Sequence, residues 1–103
     1  MSALPGTWSV TMRTPIGSIE AEMTFVEEGG AITGTATGKA ETVPLHDVAA
    51  EQVDGGEHVT WRQSITKPMR LDLAFDVLVD GDRMQGHSRA GRLTRSAVAG
   101  RRV

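Results

Sequence analysis

The fold of this 103-residue chain can be read from residues 71–90, LDLAFDVLVDGDRMQGHSRA. Apolar and polar residues alternate on both sides of Asp80-Gly81, and a period of two is typical of half-buried β-strands. A two-residue turn at Asp80-Gly81 tolerates the positive φ that tight hairpins need. The stretch therefore predicts an antiparallel hairpin with one apolar face. Its predicted cross-strand pairs are Val77 with Met84, Phe75 with Gly86, and Asp72 with Arg89.

Three further turns, at Asp54-Gly55, Gly29-Gly30 and Pro15-Ile16, pass the same test, because each again gathers apolar residues on one face. On the inner face they pair Val48 with Trp61, His46 with Gln63, Ala50 with Val59, Phe25 with Gly34, Met23 with Ala36, Trp8 with Met23, and Val10 with Ala21. On the outer face they pair Asp47 with Arg62, Glu51 with His58, and Glu20 with Lys39.

A connection through Thr66-Lys67-Pro68 joins the two middle hairpins and places Trp61 beside Leu73. The outer charges then alternate in sign across four strands, in the order Asp47, Arg62, Asp72 and Arg89. Two phenylalanines face glycines on the inner side, an arrangement that lets strands bend sharply. Bent strands favour a closed barrel.

We therefore predict an all-β protein, a single eight-stranded antiparallel up-and-down β-barrel that occupies residues 1–103 as one domain. Pro44 is expected to interrupt the fourth strand, and the last strand is expected to lie beside the first, with Val98 and Arg102 pointing inward near Trp8. The predicted strands are 6–14, 17–28, 31–39, 41–53, 56–65, 69–79, 82–90 and 94–102.

Composition excludes several classes of function. The chain has no cysteine, so disulfides, thiolate catalysis and cysteine metal sites are absent. A formal net charge of −2 disfavours a nucleic-acid partner, although five arginines and no acid follow from Arg89 onward. No leader or apolar run long enough for a bilayer is visible. We expect a cytoplasmic protein with no membrane partner.

Gly6-Thr7-Trp8 at the start of the first strand and Arg102 at the end of the last resemble the calycin pattern of lipocalins and fatty-acid-binding proteins. In that superfamily the tryptophan closes one barrel end and a basic residue packs across it. Residues 81–86, GDRMQG, are also similar to a stretch of small bacterial lipocalin-like barrels. The resemblance implies a calycin-like barrel with Trp8 and Arg102 in structural closure. The short length and the lack of cysteine, tyrosine and a leader depart from typical members.

The interior is predicted to be largely apolar, and an eight-strand barrel is either filled by side chains or open to one small ligand. Both interpretations stay open at this point. Three of the five methionines face inward, which suits an adaptable wall. The predicted inner residues are Trp8, Val10, Met12, Ile19, Ala21, Met23, Phe25, Ile32, Ala36, Val48, Val59, Trp61, Leu71, Leu73, Phe75, Val77 and Met84.

Polar residues on this apolar face are the candidate ligand anchors, because an unpartnered buried polar group is costly. His46 and Gln63, with Ser88 and Ser96, offer donors and acceptors to a ligand oxygen, or they satisfy one another. Arg102, or Arg95 if the last strand shifts by one residue, either holds a carboxylate or stacks on Trp8. The predicted ligand-binding residues are Met12, Met23, Phe25, His46, Trp61, Gln63, Leu73, Phe75, Met84 and Ser88.

Most catalytic arrangements are excluded because neighbouring strand residues point to opposite faces. His46-Asp47 and His87-Ser88 therefore form no dyads, and His58 is expected on the outside between Glu51 and Asp76. No metal site and no cofactor is predicted. If the protein is an enzyme, His46 is the candidate acid or base of a proton-transfer reaction, in an isomerase, cyclase or hydratase.

Three functions remain open. The first is binding of a small hydrophobic or aromatic molecule, with a carboxylate or oxygen anchor as an option. The second is the small proton-transfer enzyme that uses His46. The third is a filled barrel that buries outer apolar residues such as Val26 and Leu78 against a partner. A homodimer is compatible with each.

Overall fold

The computed structural model describes residues 4–14, 17–39, 41–66, 70–91 and 95–103. The all-β prediction is confirmed, with nine antiparallel strands where the sequence predicted eight. Most predicted strand ends agree with the observed ones to within two residues. The strands are β1 (Gly6–Thr14), β2 (Gly17–Glu28), β3 (Ala31–Thr37), β4 (Thr42–Pro44), β5 (His46–Val53), β6 (Gly56–Ile65), β7 (Leu71–Asp80), β8 (Arg83–Ala90) and β9 (Ser96–Arg102).

The strands form one antiparallel sheet in the order β4-β3-β2-β1-β9-β8-β7-β6-β5. The last strand lies beside the first, as predicted, with Trp8 opposite Arg102 and Met12 opposite Val98. The sheet curls until its two edge strands, β4 and β5, adjoin at Leu45, which lies between them in the chain. The Leu45 N–H continues the pairing of β4 with β3 by donating a hydrogen bond of 2.8 Å to the Gly34 carbonyl. The result is a nearly closed up-and-down barrel. The part of the chain that the structure describes contains no helix long and apolar enough to cross a membrane.

The extra strand arises at Pro44, which divides the predicted strand 41–53 into β4 and β5. Pro44 lies on the short edge strand β4, opposite Thr35, where a missing N–H is tolerated. The chain then turns at the buried residue Leu45 to begin β5. Strand β3 ends at Thr37, so the predicted pairing of Glu20 with Lys39 falls beyond the observed ladder.

The registers of β1 with β2 and of β2 with β3 are confirmed. Trp8 lies opposite Met23, and Phe25 lies opposite Gly34. A Cβ on Gly34 would lie 3.2 Å from Cδ2 of Phe25 and 2.7 Å from the Thr24 carbonyl oxygen, so only glycine allows this approach. The turn residues Pro15 and Ile16 lie outside the described residues, although the pairing that they were predicted to set is observed.

Two registers were predicted wrongly by two residues. Met84 lies opposite Val79 rather than Val77, and Phe75 faces Ser88 rather than Gly86. The turn is formed by Gly81 and Asp82, with the positive φ of 61° at Gly81, the first turn residue. A shift of two keeps every side chain on its predicted face, and it buries one further residue, Val79.

The register between β6 and β7 also differs from the predicted one by two residues. Trp61 lies opposite Phe75 rather than Leu73, and Arg62 lies opposite Ala74. Asp72 instead accepts a hydrogen bond of 2.7 Å from the hydroxyl of Ser64. The predicted alternation of outer charges from Asp47 to Arg89 is therefore wrong, because Ala74 separates the two arginines at positions 62 and 89.

A β-bulge changes the alignment at the start of β5. The pairs from Ala49 to Val53 follow the predicted register, but His46 lies opposite Arg62 instead of Gln63. Asp47, inside the bulge, has a φ of 53° and is the only non-glycine residue with positive φ among those described. Because the bulge adds a residue, His46 turns to the outer face and is exposed, so the predicted inward pair of His46 with Gln63 is wrong. Val48, which follows Asp47, is partly buried and packs against the core, on the predicted inner face.

One end of the barrel is closed by Leu4 and Trp8, both fully buried. The Trp8 indole Nε1–H donates to the Leu4 carbonyl over 2.9 Å. The guanidinium of Arg102 lies 4.4 Å from the ring centroid of Trp8, as predicted for the stacking interpretation. Val98 is buried and Arg95 is exposed, so the alternative register with Arg95 inward is not adopted.

Candidate functional site

A cavity of about 560 Å³ lies inside the barrel at the end opposite Trp8. Its lining passes from buried side chains to the exposed residues Ser18, Glu20 and Lys39, so the cavity opens to solvent there. We call the exposed end of the lining the mouth. The lining residues are Val10, Met12, Ser18, Ile19, Glu20, Ala21, Met23, Ala36, Gly38, Lys39, Glu41, Val43, Gln63, Ile65, Leu73 and Phe75.

The wall is mostly apolar because inward positions of β1, β2, β3 and β7 carry aliphatic, thioether and aromatic side chains. Met12, Met23, Leu73 and Phe75 are all buried within it. The Met12 sulfur accepts a hydrogen bond of 2.8 Å from the hydroxyl of Ser88, which holds that flexible side chain. A wall of this kind removes apolar ligand surface from water, which contributes roughly 25 cal/mol per Å².

An aromatic cluster supports the wall from behind. Trp61 stacks on Phe75 with the ring centroids 4.8 Å apart and the planes 8° apart. Phe25 contacts Trp61 edge-on, with the ring centroids 5.4 Å apart and an angle of 70° between the ring planes. Phe75 lines the cavity and Trp61 does not. The stacked indole therefore holds the position of the ring that a ligand would touch.

Gln63 is the one lining residue that is both polar and buried, with 5% of its surface exposed. Its Oε1 accepts a hydrogen bond of 3.0 Å from Nε1–H of Trp61. Both residues lie on β6, two positions apart, so their side chains share the inner face. This contact between neighbours on one strand determines how the amide of Gln63 is oriented toward the cavity.

Polar residues at the mouth connect two parts of the barrel. The Glu41 carboxylate accepts hydrogen bonds of 2.7 Å from both the backbone N–H and the hydroxyl of Thr66. Glu41 precedes β4 and Thr66 follows β6, so the contact spans the gap where the barrel closes. Nearby, the Gly38 N–H donates to the Glu41 carbonyl over 2.9 Å. These hydrogen bonds connect the ends of β3, β4 and β6 at the mouth of the cavity.

Five of the ten predicted ligand-binding residues line the cavity: Met12, Met23, Gln63, Leu73 and Phe75. Four others, Phe25, Trp61, Met84 and Ser88, are buried behind the wall or nearer the closed end. His46 is exposed on the outer face and is not part of the lining. The proton-transfer hypothesis therefore lacks the contact with the cavity that it required of His46.

Sequence reasoning missed the lining residues near the strand ends, above all Glu41, Val43 and Ile65. The sequence did contain a signal for Glu41 and Val43. Residues 41, 43 and 45 alternate along an extended segment, so Glu41 and Val43 share a face with Leu45. Pro44 predicts a strand break, and no inner face was predicted for the short segment before it.

None of the three histidines, at positions 46, 58 and 87, belongs to the cavity lining. His58 lies 2.7 Å from the Asp76 carboxylate on the outer surface, opposite Glu51, as predicted. Across the residues that the structure describes, no group of three or more His, Asp or Glu side chains is placed to hold a metal ion. The cavity is therefore the candidate functional site, because it brings inward-facing side chains of several strands together.

Comparison of the chain with the profiles of known protein families, with curated proteins and with solved structures finds no match.

Proposed function

We propose that this protein binds a small hydrophobic or aromatic molecule inside the barrel. The observation that carries the proposal is the cavity of about 560 Å³ with a mostly apolar wall. Pockets for small molecules typically occupy about 300–1,000 Å³ and combine apolar surface with a few polar groups. A small barrel of this kind has room for one such ligand.

The two ends of the barrel support a single direction of entry. Leu4, Trp8 and the Arg102 side chain cover one end. The other end carries Ser18, Glu20 and Lys39, which are exposed. The ligand enters at this mouth and places its apolar part against Met12, Met23 and Phe75.

The resemblance to calycins belongs to the same proposal. Gly6-Thr7-Trp8 opens β1, and Arg102 from the last strand stacks on Trp8, which is the arrangement that the resemblance implies. Lipocalins and fatty-acid-binding proteins use such barrels to hold apolar molecules. A calycin-like binding barrel is therefore the family relationship that we propose.

Two observations favour binding over the alternatives. A filled barrel that serves only as an interaction module needs no cavity, whereas the lining here encloses ligand-sized space. A proton-transfer enzyme built on His46 needs that imidazole at the cavity, whereas it is exposed on the outer face.

The test is a titration with the neutral fluorescent probe N-phenyl-1-naphthylamine, in wild type and in Ala36→Leu. Ala36 is buried and lines the cavity, so leucine there fills ligand space with three additional carbons. We expect saturable binding to wild type and at least tenfold weaker binding to Ala36→Leu. Ala97→Leu, on the exposed outer face of β9, is the matched control and should bind as wild type does.

Equal binding by wild type and by both variants would place the probe outside the barrel and reject the proposal. Circular dichroism and urea unfolding should show that Ala36→Leu is folded. His46→Ala should also bind like wild type, because His46 lies outside the cavity. Loss of binding in that variant would point to the outer face instead.

A further inference from the structure

Gln63 presents hydrogen-bond donors to the cavity, because its partner Trp61 determines which way the amide faces. An indole Nε1–H can only donate, so the Gln63 atom that lies 3.0 Å away must be the carbonyl oxygen Oε1. The Nε2 amide group, with two N–H donors, is then directed away from Trp61. Trp61 cannot easily move to allow the opposite orientation, since it is 1% exposed and packed between Phe25 and Phe75.

The Nε2 group borders the cavity without a protein partner. Among the described residues, the bond from Trp61 is the only hydrogen bond of the Gln63 side chain. Every fully enclosed side-chain nitrogen or oxygen in the same part of the chain has a partner, so Nε2 is in contact with cavity space. A donor in a residue that is 95% buried, facing an otherwise apolar wall, gains most from an acceptor on a ligand.

The charges on the lining indicate that this acceptor is neutral. Among the lining residues that the structure describes, Lys39 is the one cation, and it is exposed at the mouth. Two acidic residues, Glu20 and Glu41, lie at the same end. A carboxylate bound at Gln63 would lose its hydration without gaining a positive charge from the described part of the buried wall, which is costly. A ketone, aldehyde, ester or amide carbonyl meets the donors without that penalty.

We infer that the cavity selects neutral apolar molecules with a carbonyl oxygen, which Gln63 binds through Nε2, and that Trp61 sets this selectivity by orienting the amide. The inference rests on the proposed ligand-binding function. Within it, Gln63 is a ligand-binding residue and Trp61 is a positioning residue. Without the indole donor, the amide turns freely and offers its oxygen to the cavity as readily as its nitrogen.

Three rigid tricyclic molecules of nearly equal shape test the inference: fluorene, fluorenone and carbazole. Fluorenone adds a carbonyl acceptor, carbazole adds an N–H donor, and fluorene has neither. Each is titrated in competition with N-phenyl-1-naphthylamine. The measured quantity is the affinity of fluorenone or carbazole relative to fluorene, compared between variants, so that differences in aqueous solubility cancel.

For Gln63→Leu we expect the relative affinity for fluorenone to fall about five- to tenfold, while fluorene binds at least as well as before. For Trp61→Phe we expect the relative affinity for carbazole to rise, because the amide oxygen becomes available. The infrared carbonyl band of bound fluorenone should lie at lower frequency in wild type than in Gln63→Leu, since a hydrogen bond weakens the C=O stretch.

The double variant Trp61→Phe/Gln63→Leu guards against misfolding, because it leaves no unpaired indole N–H beside the leucine. It should lose the fluorenone preference as Gln63→Leu does. Unchanged relative affinities in both Gln63→Leu and the double variant, with fluorene still bound, would overturn the inference and leave the binding function intact. Failure of wild type to bind fluorene or the fluorescent probe would overturn both.

Discussion

Gly6 and Arg102 fit together so closely that a Cβ on Gly6 would lie 2.6 Å from Nη1 of the arginine. The guanidinium cannot easily withdraw, because its Nη1 donates to the Pro5 carbonyl over 2.7 Å and its Nε donates to Asp82 over 2.9 Å. Its planar group also lies over the Trp8 ring. Gly6 and Trp8 therefore both contribute to closing this end of the barrel. Gly6 leaves space for the Arg102 guanidinium, and Trp8 provides the ring over which that guanidinium lies.

Gly6→Ala should destabilise the barrel more than Gly17→Ala does. The two glycines have nearly the same φ, 127° and 128°, so the backbone strain of alanine is similar and costs about 1–3 kcal/mol in each. A Cβ at Gly17 meets no atom within 4 Å, whereas one at Gly6 collides with Arg102. We expect Gly6→Ala to lower the free energy of unfolding by roughly 1–2 kcal/mol more, measured by urea denaturation.

The double variant Gly6→Ala/Arg102→Ala provides the control for that collision. If Arg102 causes the extra cost, the double variant should lose less stability than the sum of the two single variants, because alanine at 102 frees the space. Strictly additive losses would assign the cost of Gly6→Ala to backbone strain alone.

Arg102→Lys should lower the free energy of unfolding by about 1–2 kcal/mol. Lysine keeps the charge but cannot stack a planar group on Trp8 while donating to Pro5 and Asp82 in different directions. The neighbouring Arg101→Lys is the matched control, because Arg101 is exposed and should change stability by less than about 0.5 kcal/mol. Similar effects of the two substitutions, measured by thermal and urea unfolding, would contradict a structural role for the guanidinium plane.

Asp47→Gly should preserve or raise stability, because Asp47 has a positive φ of 53° that glycine adopts without strain. Asp47→Val should lower the free energy of unfolding by about 1–2 kcal/mol, since a β-branched residue is disfavoured there. Asp47→Asn separates backbone from charge effects. It should behave like wild type, because the exposed ion pair with Arg62, at 4.0 Å, contributes little. If Asp47→Val has the same free energy of unfolding as wild type, measured by urea denaturation, the positive φ at position 47 and the bulge that it forms would be contradicted.

Glu41→Gln should loosen the mouth of the cavity. The carboxylate accepts two hydrogen bonds from Thr66, and glutamine can replace only one of its two acceptor oxygens. We expect a loss of roughly 0.5–1.5 kcal/mol in the free energy of unfolding and faster hydrogen exchange at the Thr66 amide. Glu20→Gln, at the same mouth, should leave that exchange rate unchanged. Equal exchange in the two variants would show that the contact with Glu41 does not protect the Thr66 amide.

The alternation of apolar and polar residues predicted the barrel correctly, because each side chain of a strand points to one of only two faces of the sheet. The registers of β1, β2 and β3 were predicted to the residue, and those around β7 were wrong by two. A slip of two leaves each side chain on the same face, so alternation cannot detect it. Only packing shows that Val79 rather than Val77 lies opposite Met84.

Only half of the predicted ligand-binding residues line the cavity, and the reason again lies in what alternation can detect. Met12, Met23 and Phe75 were assigned to the cavity from their face alone. His46 was misplaced because a bulge at Asp47 reverses the faces of the residues before it, and a non-glycine residue with positive φ leaves no clear mark in one sequence.

The sequence by itself determined the strands, the face of nearly every residue, and the meeting of the first strand with the last, because hydrophobic alternation and turn chemistry act over a few residues at a time. Only the tertiary structure decided the rest: the partner of each residue around β7, the end at which the cavity lies, and the orientation of the Gln63 amide. These depend on how side chains from distant strands fill a shared volume, and that packing is absent from any local pattern.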